Sequence, residues 1–347
     1  MENKVKVVLF GLGPMGKMIA KGMLEKKGLM VVGAVDILKD IVGKDLGEVL
    51  ELGKNIGVTV TDDAEGLISK IGADIAIIAT RSYLKEIYPQ LALCIKAGIN
   101  VISTCEELSY PYYKYPELSA EIDALAKKYG VTVLGTGINP GYLMDTLPIV
   151  LTGACKHVES VKVTRMMDSS KRRIPYQKKI GTGLSPEEFR QMIDEKKITG
   201  HVGLVESIAM IAAALGWKLD EIKEFPPEPV IAEKEIVTSY TTVKPGYVAG
   251  LKSFAHGIKD GKPVIILEFI SHAAVEEEYD AVSIEGIPRI YEKIAGGVHG
   301  DLGTVAVIVN MIPKVLNAEP GLLTMKDLPL PSTVTEDVRI YLRRKKT

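Results

Sequence analysis

The sequence predicts an α/β protein in two parts: a Rossmann-type doubly wound parallel sheet, then an α+β second domain built on a mostly antiparallel sheet. Three observations predict it. Strand-like and helix-like segments alternate over about the first 150 residues, the pattern of βαβ units. A glycine-rich loop, "GLGPMG", directly follows the first strand-like run. Beyond Pro148 the chain changes character, to longer strand-like runs of mixed polarity joined by turn signals. The length agrees, since 347 residues exceed the roughly 250–300 at which single cores stop growing.

The elements follow in order. "KVKVVLFG" is a continuous β-branched run, as expected of a strand buried on both faces. "GKMIAKGMLEKKG" carries apolar residues at helical spacing, with Gly28 the expected C-cap. "LMVVGAVD" and "ADIAIIAT" are the next strands, followed by a helix near Tyr83–Ala97 and the strand "INVIST". "YPELSAEIDALAKKYG" is a helix and "VTVLGTG" the final strand of a dinucleotide-binding domain spanning residues 1–148. In a substrate-binding and dimerisation domain, residues 149–300, "HVESVKVTRMMD" reads as a long strand and the region near His201–Gly216 as a buried helix. "EPVIAEKEIVTSYTTV", "VAGLKSFAHGIKDG" and "PVIILEFISHAAVE" read as further long strands, with "KDGKP" a hairpin signal. "LGTVAVIVNMIPKVLNAEPG" opens a last segment, residues 301–347, a helix and Pro-rich tail expected to return to the N-terminal domain.

Composition excludes several classes. Net charge is −1, so nucleic acid and anionic membrane are not indicated as partners. Cys94, Cys105 and Cys155 form neither a disulfide framework nor a zinc pattern and fit a reducing cytoplasm. No secretory leader is legible at the N-terminus, and no apolar run approaches the roughly 18 residues of a membrane span. The histidines His157, His201, His256, His272 and His299 are scattered, and no metal-ligand cluster, Ser-His-Asp or Cys-His pattern is present.

"GLGPMG" places Gly11, Gly13 and Gly16 in a G-x-G-x-x-G pattern between a strand and a helix, with Asp36 ending the next strand 20 residues beyond Gly16. Gly11 permits the tight turn, Gly13 lets backbone approach a pyrophosphate, and Gly16 lets helix and strand pack closely. The phosphates are expected on the helix N-terminus, which opens with Pro14 and Met15. Asp36 is expected to accept the adenosine ribose hydroxyls and to repel a 2′-phosphate. NAD is therefore the expected cofactor, with NADP tolerated because Lys39 lies close by.

In open α/β sheets ligands lie beyond the carboxyl ends of the strands. Those ends carry Thr80, Arg81 and Ser82; Thr104, Cys105 and Glu106; and Thr136, Gly137, Asn139, Pro140 and Gly141. The Asn139 amide suits a nicotinamide carboxamide. The adjacent carboxylates Glu106 and Glu107 are the best-placed ionisable groups. In an extended segment their side chains point to opposite sides, so one of them faces in. Beside an apolar ring that carboxyl would be pushed up by desolvation, which suits a proton acceptor.

Several segments together carry a family resemblance: "NVISTCEELSYP", "GTGINPGYLMD", "TRMMDSSKRRIPYQKKIGTG", "GHVGLVES" and "HGDLGTVAVIVN". With the glycine loop they resemble 2,4-diaminopentanoate dehydrogenases and native amine dehydrogenases, within the dihydrodipicolinate reductase-like superfamily. The resemblance runs from about Lys4 to Pro331. It implies NAD(P)-dependent oxidative deamination of 2,4-diaminopentanoate at C4, yielding 2-amino-4-oxopentanoate and ammonia. That reaction belongs to anaerobic ornithine breakdown, and its reverse is reductive amination of ketones and aldehydes. The resemblance assigns Glu106 as the group acting on water or amine, with Glu107 the alternative, and it implies a homodimer.

A substrate α-carboxylate calls for arginine, which binds it bidentately. Lys171, Arg172, Arg173, Gln177 and Lys178 lie in the basic stretch, and Arg172 or Arg173 is the expected anchor. His299, Asp301 and Thr304 precede or open a helix. Asp301 is expected either to cap that helix or to meet the substrate's second amine. His201 and Glu206 read as a packed helix start. The competing readings are a dihydrodipicolinate reductase, whose substrate-binding histidine and lysine element is missing, and a homoserine dehydrogenase, which needs lysine where Glu106 stands. A nucleotide-sensing regulator that binds cofactor without turnover is a third.

Overall fold

The computed structural model describes residues 4–170, 172, 174–273 and 275–343. They form two compact units. One comprises the residues up to Tyr142 together with Gly300 onward, and the other is Leu143–His299.

In the first unit the chain runs β1 (Val5–Phe10), α1 (Pro14–Leu24), β2 (Leu29–Val35), α2 (Leu46–Val49), β3 (Val60–Thr61), α3 (Ala64–Ile68), β4 (Ile75–Ile78), α4 (Leu84–Lys96), β5 (Asn100–Ser103), α5 (Pro116–Tyr129) and β6 (Thr132–Gly135). The second unit holds α6 (Thr146–Thr152), β7 (His157–Asp168), α7 (Ile174–Lys179), α8 (Pro186–Asp194), α9 (Leu204–Ala214), β8 (Glu221–Glu224), β9 (Glu228–Ile231), β10 (Ile236–Val237), β11 (Thr242–Val243), β12 (Val248–Lys259), β13 (Lys262–His272), β14 (Tyr279–Ile287) and β15 (Ile290–Ala295). The first unit is completed by α10 (Gly300–Leu316) and β16 (Gly321–Leu323).

The first unit's sheet runs β16-β6-β5-β4-β1-β2-β3, with every pair parallel. Its order reverses between β1 and β4, which is where such sheets take ligands. β4 and β6 are buried along their whole length, as their unbroken apolar sequences require. α5 starts with Pro116 at its first turn and ends on Gly130 in the left-handed region, φ 68. Gly28 does not cap α1, which stops at Leu24 with Glu25 as C-cap; Gly28, φ 86, instead turns the chain into β2. α10 packs on α1, β5 and β6, and three-residue β16 extends the sheet beyond β6.

The chain passes to the second unit after Tyr142, not at Pro148. Pro148 lies inside α6, which packs on α9, β7 and β14 of the second unit. This sheet runs β15-β14-β7-β13-β12-β8, with β9 also pairing to β12. It is antiparallel apart from the β13–β7 pair, which makes it mixed. Asp260 and Gly261 join β12 to β13 with positive φ, as "KDGKP" predicts. α9 covers one face, its Ile208 reaching Gly257 of β12. The opposite face is partly exposed and carries Thr164, Met166, Phe254, His256, Ile266 and Ile270.

The expected long strand over "EPVIAEKEIVTSYTTV" is broken into β9, β10 and β11. Thr238 Oγ1 accepts from the Tyr240 and Thr241 amides and turns the chain between β10 and β11. Among the described residues no helix is long and apolar enough to cross a membrane, and no cluster of three or more metal-ligating side chains occurs.

Candidate active site

The glycine loop shows what each glycine is for. A Cβ on Gly11, φ +88, would lie 2.5 Å from the Ala79 carbonyl oxygen, and one on Gly16 would lie 1.9 Å from the Gly11 oxygen. Both positions are closed by the protein's own backbone. A Cβ on Gly13 would meet no protein atom within 4 Å. Packing therefore does not require glycine there, whereas a ligand lying against that backbone does. Gly13 is the N-cap of α1 and offers no side-chain cap. Pro14 and Met15 follow it in the first turn, and the helix N-terminus keeps unspent N–H groups. Asp36 is buried. Its carboxylate accepts from the Leu12 amide at 2.5 Å and the Leu38 amide at 2.9 Å, so it ties the glycine loop to the end of β2 and keeps further lone pairs for a ribose. These features fit a dinucleotide.

Beyond β4, the Thr80 hydroxyl donates to Gln90 at 2.8 Å, and Arg81 is exposed with Glu86 3.7 Å away. The Ser82 carbonyl accepts from the Glu107 amide at 3.2 Å and the Cys105 thiol at 3.1 Å. The loop after β4 and the turn after β5 are thus pinned together.

That turn corrects the expected geometry. Glu106–Leu108 is a single 3-10 turn, not an extended segment, yet it still separates the two carboxylates. Glu107 is buried. It accepts from the Leu84 amide at 2.8 Å and the Tyr115 hydroxyl at 3.0 Å, with the Lys114 ammonium 3.8 Å away. The N-cap position of α4, Tyr83, provides no side-chain cap, and Glu107 supplies that acceptor from across the fold. Glu106 is partly exposed at the strand end beside Thr104. Cys105, expected on the cofactor surface, instead points into the core. It is 1 % exposed and burial pushes its thiol up to about 12.

Asn139 is partly exposed, and the Asn139–Pro140 peptide is cis. Thr304, expected to contact substrate, is buried and accepts from the Ile138 amide at 3.3 Å, which holds α10 to this loop. Asp301 lies in the first turn of α10, where its charge complements the helix dipole.

In the second unit, Arg172 is partly buried. Its guanidinium lies 5.3 Å from the Tyr176 ring centroid, and one nitrogen lies 3.3 Å from His299 Nε2. Tyr176 donates to Ser271 at 2.9 Å. Arg173 and Lys171 lie outside the described residues. Gln177, expected to bind substrate, is fully buried. Its amide nitrogen donates to the Ser170 and Arg172 carbonyls and to the Ser239 hydroxyl, so it shapes the loop that carries Arg172. His201 stacks on Phe269 at 4.3 Å, and burial together with nearby Arg165 and Lys179 holds its imidazole down at about 3. Sequence reasoning missed Arg165 and Asp280, a buried pair facing each other across β7 and β14. The signal was present. In "VKVTRMMD", Arg165 shares the inward parity of Val161, Val163 and Met167, so a charge falls where the core pattern requires an apolar residue.

Comparison with known proteins agrees with this architecture. Residues 5–133 match the family profile described as dihydrodipicolinate reductase, N-terminus, and residues 142–344 match 2,4-diaminopentanoate dehydrogenase C-terminal domain. A 2,4-diaminopentanoate dehydrogenase of Acetoanaerobium sticklandii is 38% identical over 342 residues, covering 97% of each chain. The chain belongs to the 2,4-diaminopentanoate dehydrogenase family. This family member is also 24% identical to an amine dehydrogenase of Streptomyces virginiae, over 94% of this chain and 96% of that one. The solved amine dehydrogenase from Mycobacterium smegmatis superposes with a TM-score of 0.82 at 29% identity, over 96% of this chain and 99% of that one. The chain is thus an NAD(P)-dependent oxidoreductase of the amine dehydrogenase type. Dihydrodipicolinate reductase similarity in the family profiles is confined to the nucleotide-binding part.

Proposed function

We propose that this dehydrogenase carries out oxidative deamination of 2,4-diaminopentanoate at C4, giving 2-amino-4-oxopentanoate and ammonia, and runs the reverse reductive amination of ketones and aldehydes. On this reading it serves anaerobic ornithine breakdown. One observation carries the chemistry: of the two adjacent carboxylates, Glu107 is committed to a buried helix end and Glu106 stands partly exposed at the strand end. The relative at 38% identity supports the substrate.

The nicotinamide supplies, when bound, the hydride acceptor. Loss of hydride from C4 leaves an iminium on the substrate. Glu106 takes a proton from the water that adds to the iminium carbon and returns one to the departing amine. Gly11, Gly13 and the first turn of α1 hold the pyrophosphate, Asp36 the ribose, and Asn139 with Pro140 lines the nicotinamide side. Arg172 anchors the substrate carboxylate. Asp36 favours NAD, and exposed Lys39 leaves NADP tolerated. Following reduced-cofactor absorbance with 2,4-diaminopentanoate tests the reading. Activity confined to dihydrodipicolinate or homoserine would overturn it. Equal kcat/KM with both cofactors would remove Asp36 as the discriminator.

The partly exposed face of the second unit's sheet is the proposed homodimer surface. Its Glu268 is flanked by Lys162 at 2.8 Å and Lys252 at 3.0 Å, so charge at the centre is internally matched, while Phe254, Ile266 and Ile270 surround it. Sedimentation analysis is expected to give twice the 37.7 kDa chain mass. A monomer at micromolar concentration would rule the dimer out.

A further inference from the structure

We propose that Arg165 and Asp280 are positioning residues for carboxylate recognition: they grip the Val298 backbone from both sides and thereby set His299 against Arg172. The inference rests on the reading of Arg172 as carboxylate anchor. Arg165 and Asp280 are directly opposite in the β7–β14 register, 2 % and 4 % exposed. Arg165 Nη2 donates to the Val298 carbonyl at 2.5 Å, and the Val298 amide donates to Asp280 Oδ2 at 2.8 Å. Arg165 Nη1 and Asp280 Oδ1 lie 3.4 Å apart, which keeps the two grips in one frame, and Arg165 Nε donates to the Met167 sulfur at 3.1 Å. Donor and acceptor of one residue are thus both held, so rotation about either Val298 dihedral breaks a buried, charge-assisted bond.

The next residue is His299. Its Nε2 faces an arginine nitrogen, and arginine has only donors, so Nε2 accepts and the proton sits on Nδ1. Arg172 is then fixed at two ends. His299 and the Tyr176 ring set its guanidinium, while Gln177 and the Ser239 hydroxyl bind its carbonyl. Stability alone does not call for this construction, because replacing a buried ion pair by well-packed apolar side chains is often neutral or stabilising. An apolar pair would not hold a peptide by both its N–H and its C=O.

The experiment compares kcat/KM for 2,4-diaminopentanoate with that for 2-aminopentane, which lacks the carboxylate, in Asp280→Asn, in Arg165→Met/Asp280→Leu, and in Arg172→Met with and without Asp280→Asn. The ratio of the two constants is expected to fall about tenfold or more in the Asp280 and Arg165 variants, through KM, as a misplaced charge-assisted contact would cost. Adding Asp280→Asn to Arg172→Met is expected to change the ratio little, because both act through one guanidinium. A full additive loss, an equal loss on both amines, or failure of both clamp variants to fold would overturn the proposal. Wild-type inactivity toward 2,4-diaminopentanoate would strike the functional reading alone. The same ratio is then taken between an accepted carboxylate-bearing amine and its decarboxylated analogue.

Discussion

Glu106 and Glu107 are chemically identical neighbours with opposite surroundings. Glu107 accepts a buried backbone N–H and a tyrosine hydroxyl, so its charge is spent inside the first unit. Glu106 starts the same 3-10 turn and remains partly exposed. Glu106→Gln is expected to lower kcat by about 10²–10⁴, the usual contribution of a positioned acid–base group, while leaving cofactor affinity in place. Glu107→Gln keeps one acceptor for Leu84 but turns a donor toward its other partners. It is expected to lower unfolding free energy by about 1–3 kcal/mol and to reduce kcat far less. Stopped-flow turnover, cofactor titration and urea unfolding of both variants check this. Comparable kcat losses in the two would return Glu107 to the reacting groups.

At the scale of elements, the glycine loop separates packing from ligand space. Gly16→Ala drives a methyl into the Gly11 carbonyl and is expected to destabilise the first unit. Gly13→Ala meets no protein atom, so it is expected to leave the melting temperature within a degree or two, since a surface change of this kind stays within about 0.5 kcal/mol. Cofactor affinity should nevertheless fall at least tenfold. Unimpaired cofactor binding in Gly13→Ala would mean that the loop does not approach the pyrophosphate. This loop was legible because motif and strand–turn–helix context coincide within a few residues of sequence. β7 and the β12–β13 hairpin were legible for a similar reason, alternation and a turn signal. The rest depended on contacts distant in sequence. β16 has only three residues and is defined by pairing with β6. The β14–β15 hairpin carried no strong turn pair and was not anticipated. Thr304 and Gln177 were polar residues in the right neighbourhood, but tertiary hydrogen bonds turned both inward. The 3-10 turn at Glu106 was hidden because nothing local ends β5 at Ser103. Its clamp comes from Ser82 and Leu84, more than twenty residues earlier.

At the scale of the whole molecule, the two units carry different titrating groups, so acid and alkali should unfold them through different limbs. His201 belongs to the second unit, and its ordinary value of 6.5 is depressed to about 3 by burial and by Arg165 and Lys179. Below 6.5 the unfolded chain binds a proton that the folded ring refuses, so stability falls as pH drops from 6.5 toward 3. Cys94 and Cys105 belong to the first unit, and burial raises both thiols from 9.0 to about 12. Above 9.0 the unfolded thiols ionise while the folded ones stay protonated, so stability falls as pH rises through that range. Between these limits these three groups leave stability flat. The single tryptophan, Trp217, follows α9 in the second unit, so its fluorescence follows the half that holds His201. Urea midpoints read by Trp217 are expected to decline below pH 6.5 and to decline less steeply in His201→Gln. Midpoints read by loss of cofactor binding are expected to decline above pH 9 and to flatten in Cys94→Ala/Cys105→Ala. An acid limb unchanged in His201→Gln would show that its ring stays protonated in the folded second unit, and would remove the low-pH cost assigned to its burial against Phe269.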